Sequence, residues 1–149
     1  MDIRENAQEI LNHIDKAIGG KGLSFDESNV VSFVVEKDVI CTFFVSEEDS
    51  ALLVTIYMGP IDKSNTELPY EMLCGNYMGS YTGGGTLSID PEENLVALFQ
   101  FFPLPVENPA WIEEPLENLI NAALYWRDRM GQFQPEDGQG DSNNPLFRV

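Results

Sequence analysis

Apolar residues recur along the first twenty positions with the spacing of a helix. Ile3, Ala7, Ile10, Leu11, Ile14 and Ile18 share one stripe, while Arg4, Glu5, Glu9, Asn12 and Asp15 fall off it. This predicts an amphipathic helix closed by Gly19-Gly20. The period then changes. VVSFVVE (30–36), VICTFFVS (39–46) and ALLVTIYMG (51–59) are short runs of β-branched and aromatic residues. Breaks at Lys37-Asp38 and at the acidic turn Glu47-Glu48-Asp49-Ser50 make them an antiparallel meander. GLSFD (22–26) is a further candidate strand ahead of them. After a polar linker at 60–66, ELPYEMLCGNYM (67–78) reads as a short helix with Leu68, Met72 and Leu73 inside. TLSID (86–90) and NLVALFQFFPL (94–104) predict a second hairpin. Asn108-Pro109 then opens a long helix, a capping residue followed by proline. Ile112, Leu116, Leu119, Ile120, Ala123, Leu124 and Met130 keep its spacing, and Pro115 is expected to mark a break, with the main helix starting near Glu114. Hairpins without β-α-β alternation predict an α+β fold with an antiparallel sheet and flanking helices. Residues 1–131 make one domain, and the polar, glycine-containing stretch 132–149 is expected to be disordered.

The strands are too apolar for a sheet with one wet face. Alternate residues of a strand point to opposite sides. In VICTFFVS, Val39, Cys41, Phe43 and Val45 oppose Ile40, Thr42 and Phe44; in LVALFQFF, Leu95, Ala97, Phe99 and Phe101 oppose Val96, Leu98, Gln100 and Phe102. Two long helices cover one face. Each large apolar side chain left on the other forgoes about 1.5–3 kcal/mol of burial. A persistent patch of that kind marks a partner site.

Charge narrows the class of partner. Twenty-five acidic residues against eight basic ones give the 149-residue chain a formal charge of −17. Such a surface repels phosphate backbones and anionic lipid heads, which argues against nucleic acid and membrane. The first residues lack the layout of a signal peptide, and no apolar run approaches the roughly 20 residues of a membrane span. Cys41 and Cys74 lack metal-ligand or redox spacing and read as buried thiols. His13, the single histidine, has no partner motif. With no nucleophile and base in a shared pattern, the chain does not read as an enzyme, and no metal or cofactor is implied.

GSYTGGGT (79–86) has the outline of a phosphate-binding loop, but Gly85 stands where the lysine belongs. The context is also reversed, with a helix before the glycines and a strand after. Glycine here lets the chain leave a helix and turn sharply into a strand.

Tyr70-Glu71-Met72-Leu73-Cys74-Gly75-Asn76-Tyr77, the glycines, TLSID, NLVALFQFFPL and WIEEPLENLINAALYWRDRM follow one another in an order that resembles the class I type III secretion chaperones. These are small acidic bacterial cytoplasmic proteins that escort effectors. The resemblance covers roughly residues 1–131 and includes the terminal aromatic–arginine pair, Trp126-Arg127. Cys74-Gly75, where the family favours leucine or alanine, and the long glycine run depart from it. The resemblance implies a homodimer joined through the middle helix and the strand after it, on Leu68, Met72, Leu73, Tyr77 and Leu87. It also implies an effector segment held extended, by strand addition and apolar grooves, without ATP. Alternation then puts the effector on Val34, Ile40, Phe44, Val96 and Phe102. The competing expectation is an acidic immunity protein that neutralises a basic toxin, whose binding falls steeply with salt.

Overall fold

A computed structural model describes residues 2–36 and 38–132. The expectation for 132–149 therefore lies, beyond Gln132, outside the described residues. Helix α1 spans Ile3–Ala17. Asp2 caps it by accepting from the Glu5 N–H at 3.0 Å, and the chain leaves through Gly19 and Gly20 at positive φ. Its stripe is the expected one, with Ala7, Ile10, Leu11 and Ile14 buried.

Residues 22–26 do not form a strand. Asp26 instead builds the turn into the sheet: its carboxylate accepts from the N–H groups of Ser28 (2.8 Å) and Val30 (3.0 Å). Arg4 donates to the carbonyls of Phe25 and Asp26, both at 3.3 Å. Those bonds hold the segment against α1 rather than against another strand.

Strands β1 (Val30–Glu36), β2 (Val39–Ser46) and β3 (Ala51–Pro60) form the meander. Helix α2 (Glu67–Asn76) follows, then β4 (Thr86–Asp90) and β5 (Leu95–Pro103). All pair antiparallel in one sheet of order β1-β2-β3-β5-β4. Helix α3 covers Glu113–Gln132 after a 3-10 turn at Pro109–Ile112. Asn108 caps that turn, accepting from Ala110 N–H at 3.1 Å. The main helix therefore starts at Glu113, one residue from the expected Glu114, and Pro115 lies just inside it rather than at a break within it. The proline sits in the first turn, where the backbone N–H that it lacks has no intrahelical partner to lose.

One sheet face carries Cys41, Phe43, Val45, Leu52, Val54, Ile56, Leu98 and Phe102, which join Ile10, Leu11, Ile14, Leu116, Leu119 and Ala123 in a single core.

Gly75 at the end of α2 and the glycine run after it form a contact surface for α3. A Cβ on Gly75 would lie 2.4 Å from the Trp126 ring, and one on Gly83, where φ is +59°, would lie 2.3 Å from the Asn118 carbonyl oxygen. The indole of Trp126 donates to the Tyr81 carbonyl at 2.8 Å and pins the loop. Gly75 and Gly83 are thus where backbone meets α3, which gives these two glycines a packing role.

Candidate functional site

Register decides which apolar residues remain for a partner. Val30, Phe44, Leu53 and Phe101 lie side by side across four strands, as do Val34, Ile40, Tyr57 and Ala97; Ser32, Thr42, Thr55 and Phe99 lie between these rows. They occupy the face opposite the helices. None is charged, in a chain of −17. Val34 (61% exposed), Ile40, Phe44 and Phe101 (55%) stand open to solvent.

Three of the residues expected to hold an effector, Val34, Ile40 and Phe44, lie together here. Val96 and Phe102 do not. They are 0% and 2% exposed and belong to the helix-covered core. Phe102 pairs with Leu52 and Leu98 with Ile56, which turns the even-numbered residues of β5 inward and leaves Phe99 and Phe101 facing Phe44 and its row. Alternation along one strand cannot distinguish its two faces; only pairing does.

Beside the sheet, the C-terminal half of α1, the outer part of β1 and the first half of α3 enclose a groove of about 660 Å3. Ile14, Ile18, Phe33, Val35, Leu116 and Ile120 make it apolar, and Lys21, Glu113 and Glu117 stand at its walls. Glu113 is held by His13, with Nε2 and Oε1 2.8 Å apart. This groove was not among the residues expected from the strands, although the helical stripes of Ile14, Ile18, Leu116 and Ile120 signalled part of it.

The two sheet edges differ. β1 pairs only with β2, so its outer backbone is unpaired by any strand. At the far edge, the Asn76 side chain occupies the backbone of β4: it accepts from Leu87 N–H at 2.8 Å and donates to Leu87 C=O at 3.1 Å. An amide there takes the place of a neighbouring strand. The β1 edge also ends in a fixed point. Arg127, 7% exposed, reaches from α3 to Asp38 (3.6 Å) and Glu36 (3.8 Å) at the β1–β2 turn.

A second apolar surface lies on α2. Leu68, Met72 and Leu87, expected at a dimer interface, are buried in their own chain. Leu73 and Tyr77 from the same expectation are 71% and 75% exposed. Tyr70, Met78, Tyr81 and Tyr125 join them on the surface. The short helix is apolar on both sides, and its packing on β4 and Trp126 chooses the inner one.

Electrostatics adds little chemistry. Burial pushes the Cys41 thiol far above its ordinary range, so it is inert, whereas Cys74 is exposed, contrary to the expectation of two buried thiols. Hydrogen bonds from Ser64 backbone and hydroxyl hold the Asp62 carboxyl below its usual value in an exposed turn. Among the described residues no group of three His, Cys, Asp or Glu is placed to hold a metal, and no helix is long and apolar enough to cross a membrane.

Comparison with solved structures places this arrangement. The fold is similar to the crystal structure of the ExsC–ExsE complex, with a TM-score of 0.74 and 21% identity over 85% of this chain and 95% of that one. It is similar to the HopA1–SchA chaperone–effector complex, at TM-score 0.68 and 15% identity over 83% and 94% of the two chains. The Yersinia pestis type III secretion chaperone SycH, in complex with a fragment of YscM2, matches at TM-score 0.60 and 14% identity over 83% and 98%. No curated protein sequence matches. The model of the Tir chaperone protein (CesT) family matches residues 9–127, from α1 to the buried arginine of α3. The chain belongs to the Tir chaperone protein (CesT) family.

Proposed function

We propose that this chain is a type III secretion chaperone that binds an extended segment of a secreted effector and keeps it soluble and competent for export, without ATP hydrolysis. The observation that carries the reading is the asymmetry of the two sheet edges. β4 is occupied by Asn76, while β1 is open and runs beside an apolar groove. A client strand added to β1 gains backbone hydrogen bonds along the edge. Its alternate side chains then face either the groove or the open sheet face at Val34 and Ile40. Ordering the client costs about 1–2 kcal/mol per residue. Apolar anchors in the groove and on the face return about 1.5–3 kcal/mol each, and together with the edge hydrogen bonds, at about 0.5–1.5 kcal/mol each, they offset that cost.

The acidic exterior supports the same role, since mutual repulsion between complexes opposes their aggregation. We further propose that the chain works as a homodimer joined through the outer side of α2, where Leu73 and Tyr77 are exposed.

The experiment is co-purification with the native partner, followed by hydrogen exchange and limited proteolysis of the bound region. Expected is an apolar segment that is protease-sensitive when free, protects β1 amides, and stays bound at high salt. A compact basic domain released by salt would overturn the proposal in favour of a toxin-neutralising inhibitor.

A further inference from the structure

The turn before β1 closes one end of the open edge. Asp26 donates its backbone N–H to the Val30 carbonyl at 3.0 Å and accepts the Val30 N–H on its carboxylate, also at 3.0 Å. Both backbone groups of Val30 therefore point away from β2. In an antiparallel pair this direction alternates residue by residue. Ser32 and Val34 thus turn an N–H and a C=O outward, while Val31 and Phe33 direct theirs at Phe43 and Cys41 of β2. Past Val34 the edge is interrupted. Register with β2 shifts between Val34 and Glu36, and Arg127 stands at Glu36 and Asp38.

We propose that the β1 edge takes a client strand on two rungs only, Ser32 and Val34, with Asp26 as the stop that fixes its register, and that it selects a segment with a large apolar residue between an apolar residue and a serine or threonine. The inference rests on the strand-addition reading above and adds which client residues the edge accepts.

The two faces of β1 dictate the pattern. Ser32 and Val34 are exposed on the open face. Phe33 turns the other way, its ring edge-on to the core ring of Phe43 at 5.4 Å. Residues opposite one another on neighbouring strands share a face. A client residue opposite Phe33 therefore enters the groove bounded by Ile14, Ile18, Leu116 and Ile120. Its two neighbours lie on the open face, one beside Val34 and Ile40, the other beside Ser32. Ser32 begins a row of hydroxyls, with its Oγ 2.8 Å from Thr42 Oγ1 and Thr55 opposite Thr42. A hydroxyl has one hydrogen and two lone pairs, so Ser32 keeps capacity for a further bond after Thr42. Serine or threonine on the client extends that row; an aliphatic residue there forgoes the bond.

The test follows amide exchange, residue by residue, in the full chain alone and with its co-purified client. Expected is exchange slowed about tenfold or more at Ser32 and Val34 in the complex, with Val30 unchanged because Asp26 already holds it. In Asp26→Ala the Val30 amide joins the protected pair; in Asp26→Asn, which keeps an acceptor, it does not. Ser32→Val should weaken client binding about threefold to tenfold, and replacing the facing client serine or threonine by valine should restore it. Urea midpoints check folding, and Ser32→Val, at an exposed position, carries the test if the turn variants lose stability.

A client that also protects Val30 in the unmodified chain, or that binds Ser32→Val as tightly as the parent, would overturn this inference and leave strand addition at β1 standing. A client that protects no β1 amide would sink both.

Discussion

The carboxamide of Asn76 grips the backbone of Leu87 from both sides, accepting its N–H at 2.8 Å and donating to its C=O at 3.1 Å. One side chain thereby occupies an edge that another polypeptide would otherwise be free to pair with. Asn76→Ala is expected to leave two part-buried backbone groups unsatisfied and to cost about 1–3 kcal/mol in urea unfolding. The variant also exposes β4 as a template, so light scattering should rise with concentration while the wild type stays flat. Asn76→Asp keeps the acceptor, loses the donor and sets a carboxylate against a carbonyl; it should not restore stability.

Three glycines in different surroundings make a graded prediction. Gly75→Ala places a methyl group 2.4 Å from the Trp126 ring, and Gly83→Ala places one 2.3 Å from a backbone oxygen of α3 at φ +59°. Gly20 is also at positive φ, but a Cβ there meets nothing within 4 Å. Gly20→Ala should therefore cost about 1–2 kcal/mol through backbone conformation alone. Gly83→Ala should cost that amount and a further 1–3 kcal/mol of overpacking, about the range expected for Gly75→Ala. Thermal melts of the three variants separate the two causes. Equal losses at Gly20 and Gly83 would mean that the loop does not press on α3.

Arg127 is buried between Glu36, Asp38 and Asp128, and both carboxylate oxygens of Asp38 are shielded from solvent. Removing the guanidinium strands a carboxylate, so Arg127→Ala is expected to destabilise the chain by about 3–5 kcal/mol. The double variant Arg127→Met with Asp38→Asn removes the buried charges together and should recover much of that loss. Denaturant midpoints for Arg127→Met, Asp38→Asn and their double variant form the cycle that checks it.

Client capture makes the last prediction. Val34 is exposed, and its side chain lies next to Ile40 on the open face. Val34→Asp is expected to change stability by less than about 0.5 kcal/mol, as for an ordinary surface substitution. Affinity for the co-purified client should fall about tenfold to a hundredfold, equivalent to about 1.5–3 kcal/mol of lost apolar contact. Phe102→Ala should do the reverse, losing about 3–5 kcal/mol of stability because its ring is core. Calorimetric titration beside urea melts distinguishes a binding residue from a packing residue.

Periodicity alone was enough for α1, for the three-stranded meander, for the second hairpin and for the long α3, because local spacing of apolar residues decides how a segment hides its own oily side. It also showed that the sheet carries more apolar surface than two helices cover, and the formal charge of −17 argued against nucleic acid as the partner for that excess. Composition made residues 22–26 look like a strand, but Arg4 and the Asp26 carboxylate bond that segment into a turn, and those partners come from elsewhere in the chain.

Tertiary structure alone decided the faces. Val96 and Phe102 are core and Phe101 is not, because strands β3 and β5 pair in one register out of two that composition allows. Leu68 and Met72 are inside while Leu73 and Tyr77 are outside, because Trp126, fifty residues downstream of Asn76, packs against the glycine of α2. An element's type follows from its neighbours in sequence. Which of its two apolar sides is buried depends on distant segments, and that choice leaves β1, the groove and the outer side of α2 open to partners.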